Sequence, residues 1–208
     1  EHTEMAATNQ TPTLAQRVNG SRSLLERSHR LIPGGAHTYA KSDDQYPEAF
    51  PLFIARGKGC RVWDVDGNEF IEYGMGLRSV TLGHGFEPVV EAAQKYMRLG
   101  VNFTRPSPLE VECAERLASL IDSAEMVKFA SNGSDVTSAA VRLARAYTGR
   151  DRVAICAEHP FFSVDDWFMG TTEMRAGIPR AVSDLTVKFH YNDLASAERL
   201  FERYPNEI

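Results

Sequence analysis

The strongest local signal in the sequence is Phe129-Ala130-Ser131-Asn132-Gly133-Ser134-Asp135. It stands where a predicted buried strand turns into a predicted helix. In an open α/β sheet, ligands bind at the carboxyl ends of strands, and a helix that begins there offers free N–H groups and a partial positive charge. Gly133 lets the backbone approach a ligand closely, and Ser134 adds a hydroxyl donor. Asn132, Gly133 and Ser134 therefore form a candidate cradle for a phosphate.

A purely structural explanation of this turn is equally open on spacing alone. Asn-Gly is a common turn dipeptide, and Ser134 or Asp135 can cap the helix that follows. Other nucleotide and hydrolase motifs are missing from the sequence: it contains no GxxxxGK[ST], no GxGxxG after a strand and no GxSxG. Kinase, dehydrogenase and serine hydrolase functions therefore have little support.

The composition is that of an ordinary globular protein. The chain has 208 residues, of which 43% are hydrophobic and 25% charged, and its net charge is −5. This charge argues against nucleic acid as a partner, and no apolar run is long enough to cross a membrane. The three cysteines form no CxxC pair, and the histidines show no metal-ligand spacing. We expect no metal site, reduced thiols and a cytoplasmic protein.

The first part of the chain predicts three segments. Residues 1–20 are polar and indicate a mobile tail or arm. Residues 21–75 predict a helix that ends at Pro33-Gly34-Gly35, then a loop, then an antiparallel hairpin. The hairpin strands are separated by Asp66-Gly67, a dipeptide that favours a tight turn.

Residues 76–208 alternate predicted helices and strands, which favours an α/β fold with a mostly parallel sheet flanked by helices. Apolar residues at helical spacing predict helices over 86–97, 109–121, 136–147 and 194–201. Predicted strands cover 126–130, 153–156 and 185–189. The helix over 136–147 is expected to end at Gly149 and to bury Val136, Ala139, Ala140, Leu143, Ala144 and Tyr147.

Several motifs occur in an order that resembles a known family. They are Leu31-Ile32-Pro33-Gly34-Gly35, Val62-Trp63-Asp64-Val65-Asp66-Gly67-Asn68, Leu82-Gly83-His84, Asn132-Gly133-Ser134-Asp135, Leu143-Ala144-Arg145-Ala146-Tyr147-Thr148-Gly149-Arg150-Asp151 and Tyr191-Asn192-Asp193-Leu194. The sequence resembles class III pyridoxal-phosphate-dependent aminotransferases, and among them the glutamate-1-semialdehyde aminomutases. The resemblance covers nearly everything after the first twenty residues.

The resemblance implies a fold type I transferase, of which this chain is a partial fold. Residues 21–75 would belong to a small domain, and 76–208 would open the large domain that holds pyridoxal phosphate. The family is a homodimer with active sites at the interface, and it acts on small-molecule amine and carbonyl substrates. Its phosphate-binding turn falls on Asn132, Gly133 and Ser134, and its ring that stacks on the cofactor falls on Phe161.

Departures from the family pattern cluster where substrate is expected. The arginine that receives the substrate carboxylate in the aminomutases corresponds to Lys41, which cannot form a planar fork. Their tryptophan after the hairpin corresponds to Leu77, which is followed by Arg78. Lys41 and Leu77 are therefore candidate substrate-binding residues. These changes leave open whether the protein is an aminotransferase or an aminomutase.

The resemblance places the catalytic Schiff-base lysine beyond Ile208, so this chain alone is expected to be inactive as a transaminase. Two other functions remain open. The chain could be an inactive fragment that acts only in binding or assembly, or a phosphosugar- or nucleotide-binding α/β domain that uses the same turn. Asp165 and Asp166 could be general acids or bases, but we interpret them as helix caps that face water.

Overall fold

The computed structural model describes residues 13–47, 53–158 and 163–208. The chain divides into two compact units, Glu1–Arg105 and Pro106–Ile208. The helices are α1 (Asn19–Leu31), α2 (Glu87–Met97), α3 (Pro108–Leu120), α4 (Gly133–Thr148), α5 (Asp166–Met169), α6 (Arg180–Ser183) and α7 (Leu194–Arg203). The strands are β1 (Ile54–Lys58), β2 (Arg61–Asp64), β3 (Glu69–Ile71), β4 (Val153–Cys156) and β5 (Thr186–Phe189).

The first unit is built on an antiparallel sheet with the strand order β1-β2-β3. The predicted hairpin is β2 and β3, in which Val62 lies opposite Phe70, and Gly67 adopts a positive φ of 84° in the connection. Strand β1 was not expected from the sequence, because 54–58 lacks the alternating apolar pattern of a half-buried strand. It pairs with β2 and contains an irregularity between Ile54 and Arg56.

A polar cluster closes the hairpin and ties helix α1 to it. Asp64 is 2% exposed, and its Oδ1 accepts hydrogen bonds from the N–H groups of Asp66 (3.0 Å) and Asn68 (2.7 Å). The carboxylate of Asp66 accepts from the N–H groups of Gly20 and Ser21, at the start of α1. These bonds, led by the one from Gly20, lower the pKa of Asp66. The turn therefore caps a helix that is remote in sequence.

The second unit contains a two-stranded parallel sheet, as the alternation of elements predicts. Val153 pairs with Thr186 and Cys156 with Phe189, so β4 and β5 run in register. The connection between them carries α5, at the helix caps expected at Asp165 and Asp166, and α6, which was not predicted. Helix α4 ends at Gly149 in a left-handed conformation with a φ of 68°, which confirms its predicted C-cap.

One predicted strand is wrong. Residues 126–130 form no strand in the part of the chain that the structure describes, and the parallel pairing there is between β4 and β5. The segment has the apolar character of a strand, but a strand also needs a neighbour whose backbone groups pair with its own. The apolar pattern alone therefore gave the wrong result.

The face of α4 that was expected to be buried is exposed. Leu143 is 71% exposed and Tyr147 is 90% exposed, and Val136 and the alanines of the same stripe are exposed as well. The opposite face, with Ser138, Val141 and Arg145, is half-buried instead. The amphipathic spacing correctly predicted a helix but not which of its faces contacts the rest of this unit.

Glu158, just after β4, is held by residues that follow β5. Its Oε1 lies 2.6 Å from Nδ1 of His190, and its Oε2 accepts a hydrogen bond from the N–H of Tyr191 at 2.9 Å. The bond with His190, and next the one from Tyr191, lower the pKa of Glu158 from 4.5 to about 2. The ionised carboxylate therefore bridges the ends of two parallel strands.

This bridge predicts a specific pH dependence for the variant Glu158→Gln. Because the pKa of Glu158 is lowered on folding, its stabilising effect is present above about pH 4.5 and is lost as the pH falls towards 2. The difference in unfolding midpoint between wild type and variant should shrink over that range. Thermal unfolding of the full-length protein at several pH values measures it, with the exposed Glu198→Gln as control. A difference that does not change with pH would contradict the prediction.

Candidate phosphate cradle and left-handed turn

The N-terminus of α4 is shaped by Asn132. The backbone of Asn132 is extended, and its side chain caps the helix by accepting a hydrogen bond from the N–H of Asp135 at 3.0 Å. Its amide nitrogen donates to the Asp135 carboxylate at 2.9 Å. Asn132 therefore fixes the first turn of the helix, and its side chain is occupied by this cap.

The next two residues leave their backbone N–H groups free. Among the residues that the structure describes, neither Gly133 nor Ser134 has a hydrogen-bond partner for its N–H. A Cβ atom added at Gly133 would meet no atom of the described residues within 4 Å, so these residues leave the space in front of the turn open. Two free donors at the positive end of a 16-residue helix suit a phosphate dianion.

Ser134 is the third residue of the candidate cradle. Its Oγ accepts a hydrogen bond from the N–H of Val164 at 3.3 Å, which fixes the hydroxyl and leaves its own proton available as a donor. Val164 follows the segment that contains Phe161. Residues 159–162 lie outside the described residues, so stacking by Phe161 stays a prediction. The hydrogen bond from Val164 nevertheless connects Ser134 to the residues that follow this segment.

Asp165 anchors that chain to α4, a role that the sequence did not indicate. Its carboxylate accepts hydrogen bonds from the hydroxyls of Ser138, on α4, and Ser163. Ser163 is fully buried, and Trp167 donates from Nε1 to Ser138 Oγ at 2.9 Å. The interpretation that Asp165 faces water is wrong, whereas its neighbour Asp166 is exposed as expected. No short sequence motif marks the pairing, because Ser138 and Asp165 are 27 residues apart.

The other two predicted site residues, Lys41 and Leu77, lie in the first unit. Lys41 ends a 3₁₀ turn, Tyr39–Lys41, and its side chain is exposed. Leu77 is exposed and has a positive φ of 58°. Lys41 acts electrostatically on Glu72, which in turn holds the turn that contains Leu77. The two candidates therefore belong to one local neighbourhood.

Glu72 and His84 form a hydrogen-bonded pair in this neighbourhood. The Glu72 carboxylate contacts Nε2 of His84 and accepts a hydrogen bond from the N–H of Gly76 at 3.0 Å. Burial acts to raise the pKa of Glu72, but the bonds from His84 and Gly76 and the charge of Lys41 lower it overall. The backbone of His84 is also paired with Gly59. Glu72 is therefore held as a carboxylate against the turn.

The turn itself has a left-handed backbone. Met75, Gly76, Leu77 and Arg78 have φ values of 40°, 59°, 58° and 72°, and the N–H of Arg78 donates to the carbonyl of Gly74 at 2.8 Å. Gly76 is required, since a Cβ there would lie 2.6 Å from Cγ2 of Val80. A non-glycine residue in this region costs on the order of 1–3 kcal/mol, so Met75, Leu77 and Arg78 together store strain. Such strain is a mark of functional segments.

This chain matches a known family over most of its length. The profile of the Aminotransferase class-III family matches residues 41–197. The chain belongs to the class-III aminotransferase family. Pyridoxal phosphate is the cofactor of this family, and the class-III fold is that of fold type I, as the resemblance implied.

Curated class-III relatives are similar in sequence but much longer. The glutamate-1-semialdehyde 2,1-aminomutase of Sulfurihydrogenibium sp. (strain YO3AOP1) is 33% identical over 90% of this chain and 46% of its own length. The aminomutase of Syntrophomonas wolfei is 35% identical, over 92% of this chain and 46% of its own. The chain therefore spans about half the length of the curated relatives it matches.

Solved structures of similar proteins have the same fold over the matched part. The FumI protein of Sphingopyxis sp. MTA144, solved in its pyridoxal-phosphate internal aldimine form, is 33% identical with a TM-score of 0.83. An omega-transaminase from Sphaerobacter thermophilus is 29% identical with a TM-score of 0.80. Each match covers 90% of this chain and less than half of the other.

The residues at the α4 N-terminus fit the phosphate group of this cofactor. The free N–H groups of Gly133 and Ser134, the open space at Gly133 and the hydroxyl of Ser134 supply donors and room for a dianion. Within the described residues, no cluster of His, Cys, Asp or Glu is arranged to hold a metal ion. None of the helices described is long and apolar enough to cross a membrane.

Proposed function

We propose that the protein carrying this chain transfers amino groups between small-molecule amines and carbonyl compounds. Membership of the class-III family supports this, and the free N–H groups at the start of α4 are the observation that carries it. Bound pyridoxal phosphate would supply an electron sink for the carbon that bears the amino group. The substrate site determines whether the amino group moves between two molecules or within one.

This chain's contribution is to hold the cofactor. Gly133 and Ser134 bind the phosphate through their N–H groups, and the Ser134 hydroxyl adds a third donor. Asn132 keeps the turn in shape, and Phe161 stacks on the ring. Asp165 positions the segment after Phe161 through its bonds to Ser138 and Ser163. The protein acts as a homodimer.

The lysine that bonds the cofactor lies in another part of the protein. A Schiff-base lysine needs a fixed amine in a protected site. Five lysines occur in this chain, Lys41, Lys58, Lys95, Lys128 and Lys188, and all of their residues are exposed. The relatives are about twice as long as this chain, so we assign the lysine to a part of the protein outside this chain.

Borohydride reduction of the full-length protein loaded with pyridoxal phosphate tests this assignment. We expect one pyridoxyl group per chain, on a lysine outside 1–208, by intact mass and peptide mapping. A pyridoxyl group on one of the five lysines of this chain would contradict the placement. If the protein takes up no cofactor, the alternative that the chain acts only in binding or assembly gains support.

The cradle is tested by the affinity of the apoprotein for pyridoxal phosphate. Ser134→Ala removes a hydrogen bond to a charged group, so we expect the affinity to fall roughly ten- to a hundredfold. Fluorescence titration measures it without turnover. Ser119→Ala, which removes an exposed hydroxyl on α3, is the matched control. Equal affinities for the two variants would show that Ser134 does not bind the phosphate.

A further inference from the structure

A pocket of the second unit lies between helix α4 and the segment that carries α5 and α6. Its volume is about 480 Å³, which is within the size range of small-molecule sites. Three valines supply apolar surface to it: Val141 on α4, Val164 before α5, and Val182 on α6. The N–H groups of Gly133 and Ser134 are not part of its lining. The pocket therefore offers a place for an apolar group outside the candidate cradle.

Two of the four charged residues in the lining are already engaged by the protein. The carboxylate of Asp165 accepts hydrogen bonds from the hydroxyls of Ser138 and Ser163. Arg145 donates from Nε to the carbonyl of Asp151 at 2.8 Å. Its Nη2 is buried and has no hydrogen-bond partner in the part of the chain that the structure describes. Packing within the unit accounts for Asp165, whereas the α4 wall of the pocket keeps a partly unpaired cation.

The other two charged residues, Arg142 and Asp166, have opposite signs and no partner. Arg142 lies on α4 and Asp166 is the first residue of α5. Both are exposed, and within 13–47, 53–158 and 163–208 neither side chain forms a hydrogen bond or an ion pair. They line the same pocket without pairing with each other. A ligand that carries both charges complements them, whereas a simple anion or cation complements only one.

We propose that this pocket binds an α-amino acid with an apolar side chain. Arg142 binds the carboxylate through its planar fork of donors, and Asp166 accepts hydrogen bonds from the ammonium group. The side chain of the ligand packs against the three valines, which removes apolar surface from water. The pocket shares no residue with Asn132, Gly133 and Ser134, so the inference does not depend on the proposed function.

Titration calorimetry of the full-length protein with L-leucine tests the pocket. The protein is first treated with pyridoxal phosphate and borohydride, so that a bound cofactor cannot react with the amino group. We expect Arg142→Gln and Asp166→Asn each to weaken leucine binding about tenfold or more, because each removes a hydrogen bond between charged groups. Arg116→Gln, at an exposed arginine on α3, is the matched control and should bind as wild type does. Urea unfolding checks that all three variants fold.

Two analogues of leucine that carry one charge each form the second arm. Isocaproate lacks the ammonium group and isopentylamine lacks the carboxylate, so both should bind at least about tenfold more weakly than L-leucine. No leucine binding by wild type, leucine binding that survives both substitutions, or an analogue that binds as tightly as leucine would overturn the proposal. A protein that binds leucine through Arg142 and Asp166 but takes up no pyridoxal phosphate would instead overturn the proposed function alone.

Discussion

Asp165→Ala is expected to lower the free energy of unfolding by about 2–4 kcal/mol and to weaken binding of pyridoxal phosphate. The carboxylate accepts from the hydroxyls of Ser163, which is fully buried, and Ser138, so its loss leaves both donors without this acceptor. Ser138 also accepts from Trp167, and the bond from Val164 to Ser134 lies next to the lost group. Stability and cofactor affinity should therefore fall together.

Urea unfolding of the full-length protein and a cofactor titration measure the two effects. Asp166→Ala is the matched control, since Asp166 is exposed and adjacent, and we expect a change within about 0.5 kcal/mol. Asp165→Asn keeps one acceptor oxygen, so its free energy of unfolding should lie between those of Asp165→Ala and Asp166→Ala. If Asp165→Ala unfolds like Asp166→Ala, the buried network contributes nothing measurable and its positioning role is excluded.

Asp64→Ala is expected to have an effect of similar size, about 2–4 kcal/mol, in the first unit. The buried carboxylate accepts from the N–H groups of Asp66 and Asn68 and from the Asn68 side chain at 2.8 Å. Alanine would leave three N–H groups without this acceptor, at a carboxylate whose residue is only 2% exposed. The hairpin connection should loosen, and urea unfolding monitored by Trp63 fluorescence measures the loss.

Two further variants compare the buried carboxylate of Asp64 with an exposed carboxylate on the same hairpin. Asp64→Asn keeps one acceptor for the backbone donors but turns an amide group towards that of Asn68, so it should recover only part of the stability. Glu69→Ala removes the exposed ion pair with Arg61 on the same hairpin and should cost at most about 1 kcal/mol. A larger loss for Glu69→Ala than for Asp64→Ala would contradict this account.

Local patterns in the sequence predicted the parts of the fold that local physics determines. Apolar spacing and end signals predicted the helices over 87–97, 108–120, 133–148 and 194–203. One such signal is Gly149, which adopts a φ of 68° without steric strain because it has no side chain. The hairpin of β2 and β3 was predicted from its turn. The family and the cofactor were predicted from the order of motifs along the chain, which does not depend on tertiary contacts.

Features that depend on distant partners were missed or wrong. Strand β1 has little apolar character and exists because β2 offers a free edge. The segment 126–130 has that character but no strand pairing. Asp165 meets Ser138 only in the folded unit, and the left-handed backbone at Arg78 has no signature in residue type. Stacking by Phe161 and the homodimer stay predictions.

The contact between Asp66 and the start of α1 links two elements that are far apart in sequence. Gly20 and Ser21 donate to Asp66, and the Asn68 side chain donates to the carbonyl of Arg17 at 2.9 Å. Amide protons of α1 and of the hairpin should consequently exchange with solvent in one cooperative opening, as parts of one folding unit. The helix cannot fray at its N-terminus without releasing the very loop that closes the sheet.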